Sequence, residues 1–128
     1  MDTKITPRTM VARARLIGDQ AEVRAAALVS AAGLDILERN WSCRFGEIDL
    51  IAREGETIVF IEVRLRSDKR FGGARSSITR DKQRRLATAA QLWLAGYPGS
   101  PPCRFDVILA DADGTLDWVR AAFDAPLS

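Results

Sequence analysis

Two acidic residues and an arginine stand at a spacing that could hold a divalent cation beside a phosphate. Asp49, Glu62 and Arg64 follow the pattern Asp-x12-Glu-x-Arg. On paired strands these groups come together, because Glu62 and Arg64 are two apart and share a face. A cation held by Asp49, Glu62 and the Val63 carbonyl would lower the pKa of a bound water and stabilise charge on a phosphodiester. A neighbouring cationic side chain would offset charge in the transition state, so the spacing indicates metal-dependent phosphodiester hydrolysis.

The residues that the chain lacks narrow the chemistry further. It has no histidine, which excludes Ser-His-Asp and Cys-His catalysis and His-ligated zinc. A metal must then be held by oxygen ligands, and these favour Mg²⁺ or Mn²⁺. Cys43 and Cys103 give neither a metal-ligand spacing nor a disulfide framework, which fits a reducing cytoplasm. Because no apolar run reaches the roughly 20 residues of a membrane span, and residues 1–15 contain no apolar signal segment, the sequence predicts a cytoplasmic protein.

The predicted metal ligands lie on a predicted β-hairpin. Two runs rich in Val, Ile, Phe and Thr, Glu47–Ala52 and Thr57–Leu65, flank a turn cluster that contains Gly55. This pattern is typical of an antiparallel hairpin. The pairs predicted on closing the turn are Ala52 with Thr57, Asp49 with Phe60, and Glu47 with Glu62.

Side chains alternate between the faces of a strand, and both faces of this hairpin are apolar near the turn. One face is predicted to hold Glu47, Asp49, Ile51, Ile58, Phe60, Glu62 and Arg64. The other is predicted to hold Ile48, Leu50, Ile61, Val63 and Leu65. A sheet covered on both sides would bury Asp49 and Glu62 at one end, where carboxylates need a partner or a metal. The alternative is a hydrated hairpin end with solvated acids.

Periodicity and turn signals place the other elements around this hairpin. A single domain is predicted over residues 15–122, preceded by a basic, poorly ordered arm (1–14) and followed by a loose tail (123–128). The predicted helices cover residues 18–32 and 79–95, and the remaining strands cover residues 34–43, 104–110 and 115–120.

Two helical side chains are further candidates for the site. Glu22 lies beside the apolar stripe of the first helix. It either interacts with the positive end of that helix or points into the same site as Asp49. Lys82 lies one turn before Leu86 on the buried stripe of the second helix, so it is predicted to point toward the sheet.

Positive charge is concentrated in one segment of the chain. Residues 61–85 carry nine Lys or Arg against three acids, a net charge of +6 in a chain of net charge +2. A basic strip beside a carboxylate cluster suits a nucleic acid, because the strip binds the phosphate backbone while the acids hold the metal. The alternative is a solvated surface. The predicted nucleic-acid contacts are Arg66, Lys69, Arg70, Arg75, Arg80, Arg84 and Arg85.

Four sequence blocks follow one another in chain order: GEIDLIA, FIEVRLR, DKQRR and CRFDV. Taken together with a glutamate in the first helix, they resemble the YraN family. This bacterial family is assigned to the restriction-endonuclease-like PD-(D/E)xK fold, and the resemblance covers about residues 15–120. It implies an α/β (α+β) protein with an α-β-β-β-α-β core, in which a mixed sheet is flanked by helices. Asp49 and Glu62 would be metal ligands, and Glu22 an additional acid. A similar layout in archaeal Holliday-junction resolvases implies branched or single-stranded DNA, rather than RNA, as the substrate, and a homodimer.

One residue departs from the nuclease pattern, because Arg64 stands where the motif has a lysine. A desolvated lysine can lose its proton and arginine effectively cannot, so Arg64 could clamp a phosphate but not act as a general base. Lys82 either supplies the missing amine or contacts a phosphate. Three interpretations stay open: a metal-dependent nuclease, a nucleic-acid-binding module without turnover, and a domain whose acids pair internally with Arg44, Arg64 or Arg104.

Overall fold

The computed structural model describes the backbone of residues 7–66 and 78–124, and the side chains in those ranges from residue 19 onward. Within them, two helices and five strands follow one another, which confirms the predicted mixed α+β class. The helices are α1 (Pro7–Ala31) and α2 (Arg80–Ala95). The strands are β1 (Asp35–Cys43), β2 (Gly46–Glu54), β3 (Thr57–Arg66), β4 (Cys103–Asp111) and β5 (Leu116–Phe123).

The strands form one mixed sheet in the order β1-β2-β3-β4-β5. Strands β3 and β4 are parallel, and the other neighbours are antiparallel. A parallel connection needs a crossover, and α2 lies in the chain between these two strands. A five-stranded mixed sheet with two helices is compatible with an α/β nuclease-like core.

The hairpin of β2 and β3 forms as predicted, but its register is two residues away from the prediction. Glu54 pairs with Thr57, and Ala52 pairs with Val59 instead of Thr57. A loop of two or four residues was predicted, and either length pairs Ala52 with Thr57. The observed two-residue loop is Gly55-Glu56, one residue later than a two-residue loop in the predicted register, and it places Gly55, with a φ of 60°, at the first loop position. Phe60 therefore lies opposite Ile51 and not Asp49. The predicted opposition of Glu47 and Glu62 is wrong for the same reason.

Both faces of the sheet are covered, as the apolar pattern near the turn predicts. On one face, Phe60 packs with Leu86 and other residues of α2. On the other face, Ile61 packs with Val29 and neighbouring small residues of α1. Ile48 was predicted to share a face with Leu50 and Ile61, which pack in the cluster with α1, but it packs in the cluster with α2. Regular pairing of β2 with β3 extends only to the Leu50–Ile61 pair, and the predicted alternation does not continue beyond it.

The ends of the domain differ from the prediction. Helix α1 begins at Pro7 and not near residue 18, so residues 7–14 of the predicted arm are helical. Proline is favoured at the first position of a helix, where its missing N–H costs nothing. At the other end, Phe123 belongs to β5 and is buried, stacked on Phe105 with ring centroids 5.1 Å apart, so the tail starts later than predicted. Residues 1–6, the predicted loop Ser67–Ser77 and residues 125–128 lie outside the described part.

Candidate functional site

Asp49 occupies the point where β2 and β3 cease to pair. Its Oδ2 accepts a hydrogen bond from the Val63 backbone N–H at 2.8 Å, and the residue is 9% exposed. A side chain thus satisfies a backbone donor just beyond the last regular pair of the two strands. This contact fixes the carboxylate between the strands and brings the Val63 backbone to the site.

Three carboxylates converge at this position. Single oxygens of Glu22, Glu47 and Asp49 all lie within 4.8 Å of one another. They come from α1 and from two alternate positions of β2. The structure therefore places Glu22 at the site, which was one of its two predicted roles. Glu47, predicted on the charged face but not as a ligand, is the third member of this cluster.

Asn40 was missed by the sequence analysis and lies beside the cluster. In the amide orientation that lets it donate, its nitrogen is 2.9 Å from Glu22 Oε2 and 3.0 Å from Glu47 Oε1. The backbone of Asn40 has a φ of 50°, a left-handed conformation that asparagine tolerates better than most residues. Its position could not be predicted, since it depends on the pairing of β1 with β2 and on this irregular backbone.

Glu62 forms the second part of the site, on β3. Its carboxylate is buried, and Oε2 has no hydrogen-bond partner. The other oxygen, Oε1, lies 3.7 Å from Lys82 Nζ and 4.0 Å from an Arg64 nitrogen. Lys82 thus points to the sheet as predicted. Both cations are loosely placed, because these distances exceed those of a charge-assisted hydrogen bond.

Burial and the close approach of the acids raise their pKa values. Burial, followed by the charge of Asp49, raises the pKa of Glu62 to about 7, although Lys82 and Arg64 oppose the shift. Burial, followed by the charges of Asp49 and Glu47, raises the pKa of Glu22 to about 7. Burial also raises the pKa of Asp49, against the Val63 N–H bond, which lowers it. Near neutral pH Glu22 and Glu62 are therefore only partly ionised.

The donor set fits a hard divalent cation. All the convergent side chains offer oxygen, which Mg²⁺ and Mn²⁺ prefer. A cation would also offset the charge that raises these pKa values. The residues that would hold it are Glu22, Glu47 and Asp49, with Glu62 beside them. The predicted Val63 carbonyl ligand stays a prediction, since the contact that the structure gives for Val63 is its N–H bond to Asp49.

The predicted nucleic-acid contacts fall into three groups. Arg80, Arg84 and Arg85 are exposed on α2. Arg85 lines a small cleft with Glu47 and Lys82, and Arg84 pairs with Asp81 at 3.0 Å. Arg66 is paired with Asp111, through two nitrogens at 2.8 and 3.0 Å. Lys69, Arg70 and Arg75 lie outside the described residues.

Asp106 is another buried acid, but its oxygens are hydrogen-bonded within the fold, which indicates a structural role. Its oxygens accept bonds from Arg104 at 3.1 Å, from Trp118 Nε1 at 3.0 Å and from the Ala121 N–H at 2.9 Å. Arg104 thus pairs with Asp106 and with Glu54, whose Oε1 lies 2.7 Å from it, whereas the predicted internal pairing concerned the acids of the candidate site. It does not account for the carboxylate cluster.

A cavity beside α1 is separate from the site. It measures about 700 Å³ and lies between the helix and the ends of β3 and β4, with Val23 and Leu65 among its apolar walls. None of the clustered carboxylates lines it. Their convergence, and not cavity size, is what marks the candidate site.

The fold and the site together define a mixed α+β protein with a carboxylate cluster set at the end of a hairpin inside its sheet. The chain belongs to the uncharacterised protein family UPF0102, whose model matches residues 21–110. This confirms the resemblance to the YraN family.

Relatives match over most of their length. A UPF0102 protein of Nitrosomonas europaea is 52% identical over 109 residues, which cover 84% of this chain and 92% of the relative. A UPF0102 protein of Janthinobacterium sp. is 46% identical over 121 residues, 94% of this chain and 95% of the relative. Among the residues that the structure describes, no helix has the length and apolar character needed to cross a membrane.

Proposed function

We propose that this protein is a metal-dependent nuclease that binds structured or single-stranded DNA and hydrolyses its phosphodiester bonds. The observation that carries the proposal is the Glu62 carboxylate, which is buried next to Asp49. Its Oε2 has no hydrogen-bond partner, and its Oε1 lies within 4 Å of two cations. Buried polar groups normally have partners, and ionisable groups perturbed in this way cluster at functional sites.

Each residue of the site has a proposed role. Glu22, Glu47, Asp49 and Glu62 hold Mg²⁺ or Mn²⁺. When bound, the cation would supply a nucleophile from water and stabilise charge on the phosphodiester. Asn40 orients two of the acids by donating to both of them. The Val63 N–H keeps Asp49 between the strands in the geometry that faces the cluster.

The two cationic side chains near Glu62, Lys82 and Arg64, bind the phosphate of the substrate. Lys82 and Arg64 are each more than one-third exposed at their side chains, so a phosphate can reach them. They neutralise phosphate charge while Glu62 keeps them near the cluster. The exposed arginines of α2 extend this positive surface along the helix, where they contact the backbone of the strand.

The alternative is a nucleic-acid-binding module without turnover, and Arg64 is the residue that favours it. Arg64 cannot shed a proton, so an activity that requires a neutral amine at that position is absent. In that case Arg64→Lys would introduce cleavage into a protein that otherwise only binds. The two functions are thus separated by one substitution.

The test is cleavage of a labelled panel that contains a single strand, a duplex, a flap and a four-way junction. Each substrate is incubated with Mg²⁺ or Mn²⁺ and with wild type, Glu62→Gln or Glu56→Gln. Glu56 is an exposed residue in the β2–β3 turn and serves as the matched control. We expect metal-dependent cleavage by wild type and Glu56→Gln, and none by Glu62→Gln. Folded wild type that cuts none of the substrates would contradict the nuclease.

A further inference from the structure

We infer that Arg44 and Phe45, in the turn between β1 and β2, form a platform on which an unpaired base of the substrate stacks beside the carboxylate cluster. This inference rests on the proposed function and deepens it, because it assigns a binding site for a base. Neither residue is among the nucleic-acid contacts predicted from the sequence.

The turn presents a cation stacked on an aromatic ring. The Arg44 guanidinium carbon lies 4.7 Å from the centroid of the Phe45 ring. Arg44 is exposed, and Phe45 is only half-buried. Phe45 belongs to neither of the two core clusters found among the described residues. Phe45 lines a small cleft with Leu86 and Ala89 of α2, and the part of its side chain that stays exposed is open to a ligand.

The platform is continuous with the site. Phe45 and Glu47 line one small cleft together with Lys82 and Arg85 of α2. Glu47 belongs to the carboxylate cluster, and Lys82 reaches Glu62. A strand whose phosphate lies at the acids would thus have its neighbouring base near the ring, and its backbone near Arg85.

The size of the cleft decides how a base would bind. Its volume is about 40 Å³, close to the space taken by one water molecule, so a base cannot sink into it. A base can instead lie across the exposed ring and guanidinium. Single-strand binding sites combine such aromatic faces with cationic grooves, and stacking tolerates any base. A base inside a regular duplex is already stacked and would not be available, so the platform selects strands with unpaired nucleotides.

The experiment measures binding without cleavage, in a buffer that contains EDTA. The probes are a labelled oligothymidylate of about 12 nucleotides and an abasic strand of the same length, which keeps the phosphates and lacks the bases. Their affinities are compared for wild type, Phe45→Leu, which keeps an apolar cover over α2, and Phe45→Trp, which keeps a stacking face. The ratio of the two affinities does not change if part of the protein is unfolded.

We expect wild type to prefer the base-carrying strand by about tenfold or more. Phe45→Leu should reduce this preference to near one, and Phe45→Trp should retain it. Arg44→Gln should weaken binding, whereas Arg53→Gln, which removes an arginine paired with Asp35 at the other end of β2, should not.

The platform would be overturned if Phe45→Leu and wild type showed the same preference, or if wild type bound both strands equally. Both results are independent of the proposed activity. Loss of cleavage in the panel with the preference intact would contradict only the nuclease. Cleavage with an unchanged preference in Phe45→Leu would contradict only the platform.

Discussion

The Val63 N–H donates to Asp49 Oδ2 at 2.8 Å, so one bond joins the backbone of β3 to a carboxylate of β2 at the point where their regular pairing ends. The same bond explains why Asp49 stays between the strands although burial raises its pKa. Asp49 is therefore fixed where the regular pairing of β2 and β3 ends, and Glu22 and Glu47 converge on it there.

Replacing Asp49 by Asn should separate metal binding from folding. The amide oxygen can still accept the Val63 N–H bond, so the metal-free variant should be folded. Binding of a metal to the native state alone stabilises it by about 2.7 kcal/mol at 100 times its Kd. We expect Mn²⁺ to raise the Tm of wild type by several degrees and to leave Asp49→Asn unchanged.

The control for this experiment is Asp35→Asn, which alters an exposed acid on β1 and should keep the response to Mn²⁺. A full Mn²⁺ response in Asp49→Asn would remove Asp49 from the metal site.

Stability without metal should depend on pH through Glu62. Its folded pKa of about 7 lies above the ordinary 4.5, so the folded state holds a proton that the unfolded chain releases as the pH rises from 4.5 to 7. The contribution of Glu62 to the free energy of unfolding is therefore fully present below pH 4.5 and is lost as the pH passes 7. Relative to Glu62→Gln, wild type should lose roughly 1–3 kcal/mol between pH 4.5 and 8.

Urea denaturation in EDTA at several pH values measures this difference. Glu56→Gln should follow wild type at every pH, because its side chain lies in the exposed turn. A constant difference between wild type and Glu62→Gln across the range would show that Glu62 has the same pKa in both states.

Asp106 should be required for stability and not for the chemistry. It is 1% exposed and accepts bonds from Arg104, Trp118 and Ala121. Asp106→Ala leaves these donors unpaired, which should cost about 3–5 kcal/mol. Asp35→Ala breaks an exposed ion pair and should cost less than about 1 kcal/mol. Denaturation curves measure both costs, and equal costs would contradict the structural role of Asp106.

Much of the architecture was predictable because its signals are local. The bounds of β1 to β4 and of α2 differ from the predicted ones by a few residues at most. Thr79 caps α2, since its hydroxyl accepts the Lys82 N–H at 3.1 Å. Apolar residues on both faces of the hairpin correctly predicted a sheet covered on both sides. These features follow from hydrophobic periodicity, from helix-capping residues and from the positions of glycines, all of which can be seen directly in the sequence.

The details of the site depend on long-range geometry that no local pattern contains. The hairpin register depended on which two residues form the turn, and the loop is Gly55-Glu56, with Gly55 at a φ of 60°. Asn40 could not be found, since its position requires the pairing of β1 with β2. Glu47 carried a signal, because it stands two residues from Asp49 on the same strand and shares its face.

Lys82 should act in the proposed reaction through its charge. Its Nζ lies 3.7 Å from Glu62 Oε1 and its side chain is 36% exposed, so it can face both the acid and a phosphate. Removing one such group from a preorganised site typically costs a factor of about 100 in rate. We expect that loss in Lys82→Gln, whereas Lys82→Arg, which keeps the charge but cannot release a proton, should stay within about tenfold of wild type. Single-turnover cleavage measures the rates, and Arg53→Gln controls for the loss of a distant positive charge. Equal loss in both Lys82 variants would contradict a role through charge alone, since arginine keeps the positive charge at this position.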